Sequence, residues 1–197
     1  MKKIVFASSN QNKLQEVRNL LKDKFEILSL VDINFFDDIE ETETTIEGNA
    51  SLKANYISNK YGIDCFAADS GLLIDALDGA PGVYSARYAG EPKNDKNNLE
   101  LVLKNLENHS NRKAHFKTVI ALNLKGKHYL FEGSINGKIT EQPKGENGFG
   151  YDPIFIANDL DKTFAEMDLQ EKSKISHRGI AIQKLISFLK TYHAENQ

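Results

Sequence analysis

A single cysteine, Cys65, excludes an internal disulfide and any multi-cysteine metal site, and it fits a reducing compartment. Long apolar runs are also missing. After Met1-Lys2-Lys3 the stretch Ile4-Val5-Phe6-Ala7 is too short for a signal peptide, and no later run approaches a membrane span. A cytoplasmic protein with no membrane partner is therefore expected. A basic surplus is lacking too, since 25 Lys plus Arg face 28 Asp plus Glu for a net charge of -3. Proteins that track nucleic-acid backbones carry clear positive excess, so a nucleic-acid polymer is not the expected partner. A small anion stays open, because it needs only a local basic pocket. With 4 Pro, 13 Gly and 40% hydrophobic residues the chain is neither collagen-like nor disordered. Its 197 residues fit one domain over 1–197, with two lobes that are not independent domains.

Hydrophobic periodicity predicts the element order. Lys3 to Ala7 reads as a short buried strand, followed by the helix-capping cluster Ser8-Ser9-Asn10 and by Leu14, Val17, Leu20 and Leu21 at helical spacing. A second strand is expected over Phe25 to Leu30, a helix from about Thr45 to Tyr61, and a buried strand Cys65 to Ala68 ending at Asp69-Ser70-Gly71. Asp95 opens a helix with Leu99, Val102, Leu103 and Leu106 inward. Phe116 to Leu124 alternates as a half-buried strand, Lys125-Gly126 turns into a partner strand from Tyr129 to Gly133, and Asn136-Gly137 offers another tight turn. Asp168 to Glu171 has capping-box spacing, and Ile182, Leu185, Ile186 and Leu189 form a last helical stripe. The order implies an α/β fold: a mixed, twisted sheet with flanking helices.

Five segments could carry chemistry. Ser8, Ser9, Asn10, Gln11, Asn12 and Lys13 sit where a helix start presents free N–H groups and one cation to an anion. Six acids lie within residues 37–47, and Glu41 among them could supply a hard oxygen ligand for Mg²⁺ if a second acid lay nearby. Asp69 after an apolar strand is such an acid; it could ligate metal or take a proton from water, with Lys53 on the preceding helix facing it. Phe149-Gly150-Tyr151-Asp152 sets an aromatic between glycines, where a ring can lie flat on a base. Lys172 with Ser176-His177-Arg178 gathers cations near one helix. Singly, these are a helix cap, a solvated loop, an Asx-turn, a core aromatic and a basic helix end. Gly133 to Thr140 imitates a P-loop but is one residue short, and reads as a hairpin turn.

Together, and in order, these blocks make the chain resemble the inosine triphosphate pyrophosphatases, enzymes that hydrolyse non-standard purine nucleoside triphosphates. The resemblance runs from Ile4 to Leu189. It is carried by Ala7 to Lys13, Glu41-Thr42, Asn49-Ala50 with Lys53-Ala54, Asp69-Ser70-Gly71-Leu72, Gly79 to Gly90, Gly148 to Phe155, and Glu171-Lys172 with Ile175 to Arg178. It implies two lobes around a central nucleotide cleft, a homodimer, Mg²⁺ as cofactor, and conversion of ITP, dITP or XTP to the monophosphate and pyrophosphate. By position it implies that Ser8 to Lys13 hold the triphosphate and that Lys53 neutralises it. Glu41 and Asp69 would hold the metal, Asp69 also accepting the proton, and Ser70 would bind nucleotide. Phe149, Gly150, Tyr151, Asp152, Lys172, His177 and Arg178 would line the base and sugar end, with His177 and Arg178 as donors to the base carbonyl. Lys13, Lys53 and Asp69 form the expected catalytic set.

Two positions depart from the family pattern. Ala68 stands where the family has an acid, and Glu43 where it favours Gly. Two further readings remain: a Maf-like pyrophosphatase acting on other modified nucleotides, against which Asn12-Lys13 argues, and a non-catalytic nucleotide-binding module, against which the presence of Glu41, Lys53 and Asp69 together argues.

Overall fold

The structure is a computed structural model describing residues 2–22 and 25–195. Six strands, β1 (Lys2–Phe6), β2 (Phe25–Leu28), β3 (Cys65–Ile74), β4 (Lys113–Leu124), β5 (Lys127–Ile139) and β6 (Phe155–Ala157), form one sheet in the order β2-β1-β3-β4-β5-β6. It is mixed: β1 pairs in parallel with β2 and β3, whereas β5 and β6 are antiparallel. Among the described residues five α-helices accompany it: α1 (Gln11–Leu21), α2 (Ile46–Tyr61), α3 (Asp95–Asn105), α4 (Leu169–Ile175) and α5 (His177–Glu195). Among the described residues no helix is long and apolar enough to cross a membrane.

The chain divides into two compact units. Unit 1 is Met1–Asp69, Thr118–Gly133 and Arg178–Gln197; unit 2 is Ser70–Lys117 and Ser134–His177. Strands β3, β4 and β5 each run from one unit into the other.

In unit 1 strand alternation sorts the faces. Ile4, Phe6, Phe66 and Ala68 join Leu14, Val17 and Leu21 of α1 and Ile182, Leu185, Ile186 and Leu189 of α5 in one buried cluster. The rings of Phe6 and Phe66 stack at 4.9 Å. Alternation gives Cys65, Ala67 and Asp69 the opposite face, where the Cys65 thiol donates to the Ala54 carbonyl of α2. In unit 2 Leu99 and Val102 of α3, with Leu106 at its C-cap, pack with Leu72, Ile74, Phe116, Ile139 and Phe155.

Three local expectations are corrected. β3 does not stop at Asp69 but continues to Ile74. Its register with β1 ends at Phe6 and Phe66, so Asp69 lies beyond the carboxyl end of the parallel pair while still inside its own strand. Asn136-Gly137 is not a turn, and Gly133 to Thr140 is not a hairpin loop, because β5 runs unbroken to Ile139. Gly137 pairs with Ala157 of β6, and a Cβ there would collide with the Ile156 carbonyl. Close approach of a neighbouring backbone requires this glycine.

Candidate active site

The first constellation lies in unit 1 and is assembled by α1, α2 and β3. Thr45 caps α2 by accepting from the Gly48 amide at 3.0 Å. One turn on, the fully buried Asn49 clasps Glu43, its Oδ1 accepting the Glu43 amide at 3.0 Å and its Nδ2 donating to the Glu43 carbonyl at 3.3 Å. Gly48 leaves room for this, since a Cβ would sit 2.7 Å from that of Glu43. The acidic segment is thereby pinned against α2, with Glu41 two residues upstream. Glu43 itself is not among the positive-φ residues, so a side chain where the family favours Gly needs no strained backbone.

One turn further along α2, Lys53 is 8% exposed and its ammonium donates to Glu41 Oε1 at 2.7 Å and to Asp69 Oδ1 at 3.2 Å. Asp69 is 4% exposed, and its second oxygen, Oδ2, is buried with no hydrogen-bond partner among the described residues. An unmatched buried carboxylate oxygen costs about 1–3 kcal/mol or more, so this atom is poised to accept a proton or a cation. Ala68, the other departure, faces the apolar cluster with Phe66. Alternation along β3 therefore puts position 68 on the face opposite to Asp69.

At the start of α1, Asn10 Oδ1 accepts the Lys13 amide at 3.0 Å and Ser8 Oγ accepts the Asn10 amide at 3.2 Å. Helix geometry leaves the Gln11 and Asn12 amides without intrahelical acceptors. Ser9 to Asn12 are exposed, as an anion-binding turn must be, and Ser8 is half-buried. Lys13 is half-buried and makes no ion pair among the described residues. Loss of water around it, then repulsion by Lys53, pulls its pKa down to about 8, against the attraction of Asp69. Arg178 also belongs to unit 1. Its guanidinium is paired with Glu16 of α1, both almost wholly buried, and burial draws its pKa down to about 10, so it stays charged at neutral pH. Glu16 escaped the sequence reading, as nothing marks an acid beside an apolar helical stripe as the mate of an arginine 162 residues away.

The second constellation lies in unit 2. Lys172, 3% exposed, donates to Asp152 Oδ2 at 2.7 Å, and its ammonium lies 4.9 Å from the centre of the Phe149 ring. The Phe149 amide donates to the same Asp152 oxygen at 2.9 Å. Burial raises the Asp152 pKa, and Lys172 opposes that shift. Tyr151 is buried and its hydroxyl donates to the Ser85 carbonyl at 2.7 Å. The Gly150 amide donates to Asp95 Oδ2 at 2.8 Å. His177, 3% exposed, stacks on Phe116 at 4.6 Å, and Ser70 is half-buried in β3. Asp95 and Ser85 were not anticipated. Phe149 to Asp152 and Lys172 do come together, as an ion pair beside an aromatic ring.

No group of three or more His, Cys, Asp or Glu suited to a metal occurs among the described residues. Glu41 and Asp69 are two carboxylates held by one lysine, with an open oxygen on Asp69. That donor set fits Mg²⁺, which takes one or two carboxylates and completes its shell with water and phosphate oxygens, and does not fit a structural zinc site. A recess of about 450 Å³ elsewhere in unit 1, beside Asn55, Asp64 and Asn123, contains none of the candidate residues.

Comparison with known proteins places the chain in a family. The profile of the Ham1 family matches residues 4–188. A dITP/XTP pyrophosphatase of Flavobacterium johnsoniae is 59% identical over 187 residues, covering 95% of this chain and 97% of its own. One of Christiangramia forsetii is 56% identical over 187 residues, covering 95% and 98%. The solved structure of a HAM1 protein from Coxiella burnetii superposes with a TM-score of 0.89 at 42% identity, covering 97% of this chain and all of that one.

Proposed function

The chain belongs to the Ham1 family, and from that premise we propose that it hydrolyses non-standard purine nucleoside triphosphates (ITP, dITP and XTP) to the monophosphate and pyrophosphate. The observation that carries this reading is the unit 1 set: Asp69 with one buried oxygen open, oriented by Lys53, which also grips Glu41. A non-catalytic nucleotide-binding module would have no use for a buried carboxylate with one oxygen left open.

In this reading Lys53 fixes Asp69 through Oδ1 and leaves Oδ2 to accept the proton of the attacking water. The water attacks the α-phosphorus in line and pyrophosphate leaves. Lys13 and the free amides of Gln11 and Asn12 bind the anionic phosphates, with the Ser8 and Ser9 hydroxyls beside them. Positioning and charge neutralisation supply most of the rate in such transfers, so cations dominate this set. Glu41 and Asp69 would hold Mg²⁺, which when bound screens phosphate charge and lowers the pKa of water.

Phe149 would present its ring to the purine, and Tyr151 and Asp152 would hold it in place. Ser70, Gly150 and Lys172 would complete the set for base and sugar. His177 and Arg178 remain the side-chain candidates for reading the 6-carbonyl, where adenine would instead present an amino donor. The protein would act as a homodimer in the cytoplasm, a reading supported by the family resemblance and by the lone, buried Cys65.

Pyrophosphate release from a panel of nucleotides, with and without Mg²⁺, tests the proposal. ITP, dITP and XTP should be cleaved far faster than ATP, and only with the metal. Asp69→Asn should keep nucleotide binding and lose turnover by at least a hundredfold, in line with general-base contributions of about 10²–10⁴. Equal rates for ATP, or a fully active Asp69→Asn, would reject it. In the same panel, His177→Ala should narrow the preference for ITP over ATP.

A further inference from the structure

The loop that carries Phe149 holds three glycines in left-handed backbone. Gly145, Gly148 and Gly150 have φ of +83°, +75° and +63°, which suits residues without a Cβ and carries a large entropy cost on ordering. At Gly148 a Cβ would also strike the Asp152 carboxylate. A ring on such a loop faces a base reliably only if its backbone is tied at both peptides. The amide of Phe149 is tied locally, to Asp152. The next amide, that of Gly150, is tied to Asp95, which lies 55 residues away in the first turn of α3. There Asn94 caps the helix by accepting the Asn97 amide at 2.9 Å, and the helix dipole favours a charged carboxylate at Asp95. A buried prop stands on the other side: the Tyr151 hydroxyl reaches the Ser85 carbonyl, and Ser85 Oγ accepts the Leu72 amide at 2.9 Å. Of these anchors only Asp95 is exposed and remote in sequence, so only it can be altered without opening the core.

We propose that Asp95 is a positioning residue for nucleotide binding: by accepting the Gly150 amide it sets the angle at which the Phe149 ring meets the purine. It acts through the ring and not on the reacting atoms. Asp95 should therefore govern substrate affinity and leave the chemical step alone. The inference rests on the reading that Phe149 stacks on the base.

Steady-state kinetics with ITP test it, using Asp95→Ala, Asp95→Asn, Phe149→Leu and the double variant Asp95→Ala/Phe149→Leu. Asp95→Ala should raise KM about tenfold with kcat within about twofold of wild type. Asp95→Asn keeps an acceptor and should restore KM to within about threefold. In the Phe149→Leu background, Asp95→Ala should add no further loss, because the group it positions is gone. An unchanged KM in Asp95→Ala, a kcat that falls with it, or an equally damaged Asp95→Asn would each overturn the proposal. So would a full additional loss in the double variant. A Phe149→Leu enzyme with wild-type KM beside an impaired Asp95→Ala would instead show that the stacking reading is at fault, and the proposal would fall with it.

Discussion

Lys13 carries the most informative charge in unit 1. Its pKa of about 8 results from burial and the neighbouring Lys53, and an incoming phosphate acts in the opposite sense by favouring the charged form. Binding pyrophosphate at about pH 8.5 should therefore take up about three quarters of a proton at this residue, whereas binding at about pH 6.5 should take up almost none there. Titration calorimetry in two buffers of different ionisation enthalpy would show it as the difference between wild type and Lys13→Met, which cancels the proton exchange of pyrophosphate itself. The same buffer dependence in both proteins at the higher pH would refute this account of Lys13. The same shift has a stability consequence. The folded value lies below the ordinary 10.5, so Lys13 weakens the fold while charged, and its contribution improves as pH climbs from about 8 towards 10.5. At this scale the sequence was legible for residue identity and silent on partnership. Lys53, Glu41 and Asp69 could be named as candidates, but the pairing of Arg178 with Glu16 depends on where α5 and α1 come to lie.

Helices were easier to read than strands, and for a physical reason. Helix starts at about Thr45, at Asp95 and at Asp168 are announced by chemistry confined to a few residues, and Thr45, Asn94 and Asp168 each accept the amide that capping geometry assigns. A strand is closed by its neighbours, which lie far away in sequence. Asn136-Gly137 carries the local signature of a hairpin turn, yet antiparallel pairing with β6 keeps β5 extended through it. β6, with three residues, has no period to detect. Gly137→Ala is the test at this scale. A methyl group pressed on the Ile156 carbonyl and the Phe155 ring should destabilise the protein by about 1–3 kcal/mol, seen as a lower urea midpoint. A variant as stable as wild type would mean that β6 yields without cost, contrary to the tight pairing described.

For the whole molecule, Cys65 is a built-in gauge of integrity. It is fully buried at the start of β3, burial raises its pKa to about 11, and its thiol is engaged by α2. At pH 7 only about one thiol in ten thousand is ionised in the folded chain. Alkylation should therefore wait for unfolding, and its rate should rise with urea in parallel with loss of the circular dichroism signal. Rapid modification of fully folded protein at neutral pH would contradict that burial. Element order foretold the mixed α/β class, but it could not foretell that both units would be discontinuous in sequence. That threading has a consequence for synthesis. As the chain leaves a ribosome at about 5–20 residues per second, unit 2 has all its segments once His177 emerges, while the apolar face of α1 still waits for Ile182, Leu185 and Leu189 of α5. For something on the order of ten seconds α1 lacks this cover. The half of the molecule that carries Lys13, Lys53 and Asp69 is thus the half whose apolar cover is the later to be made.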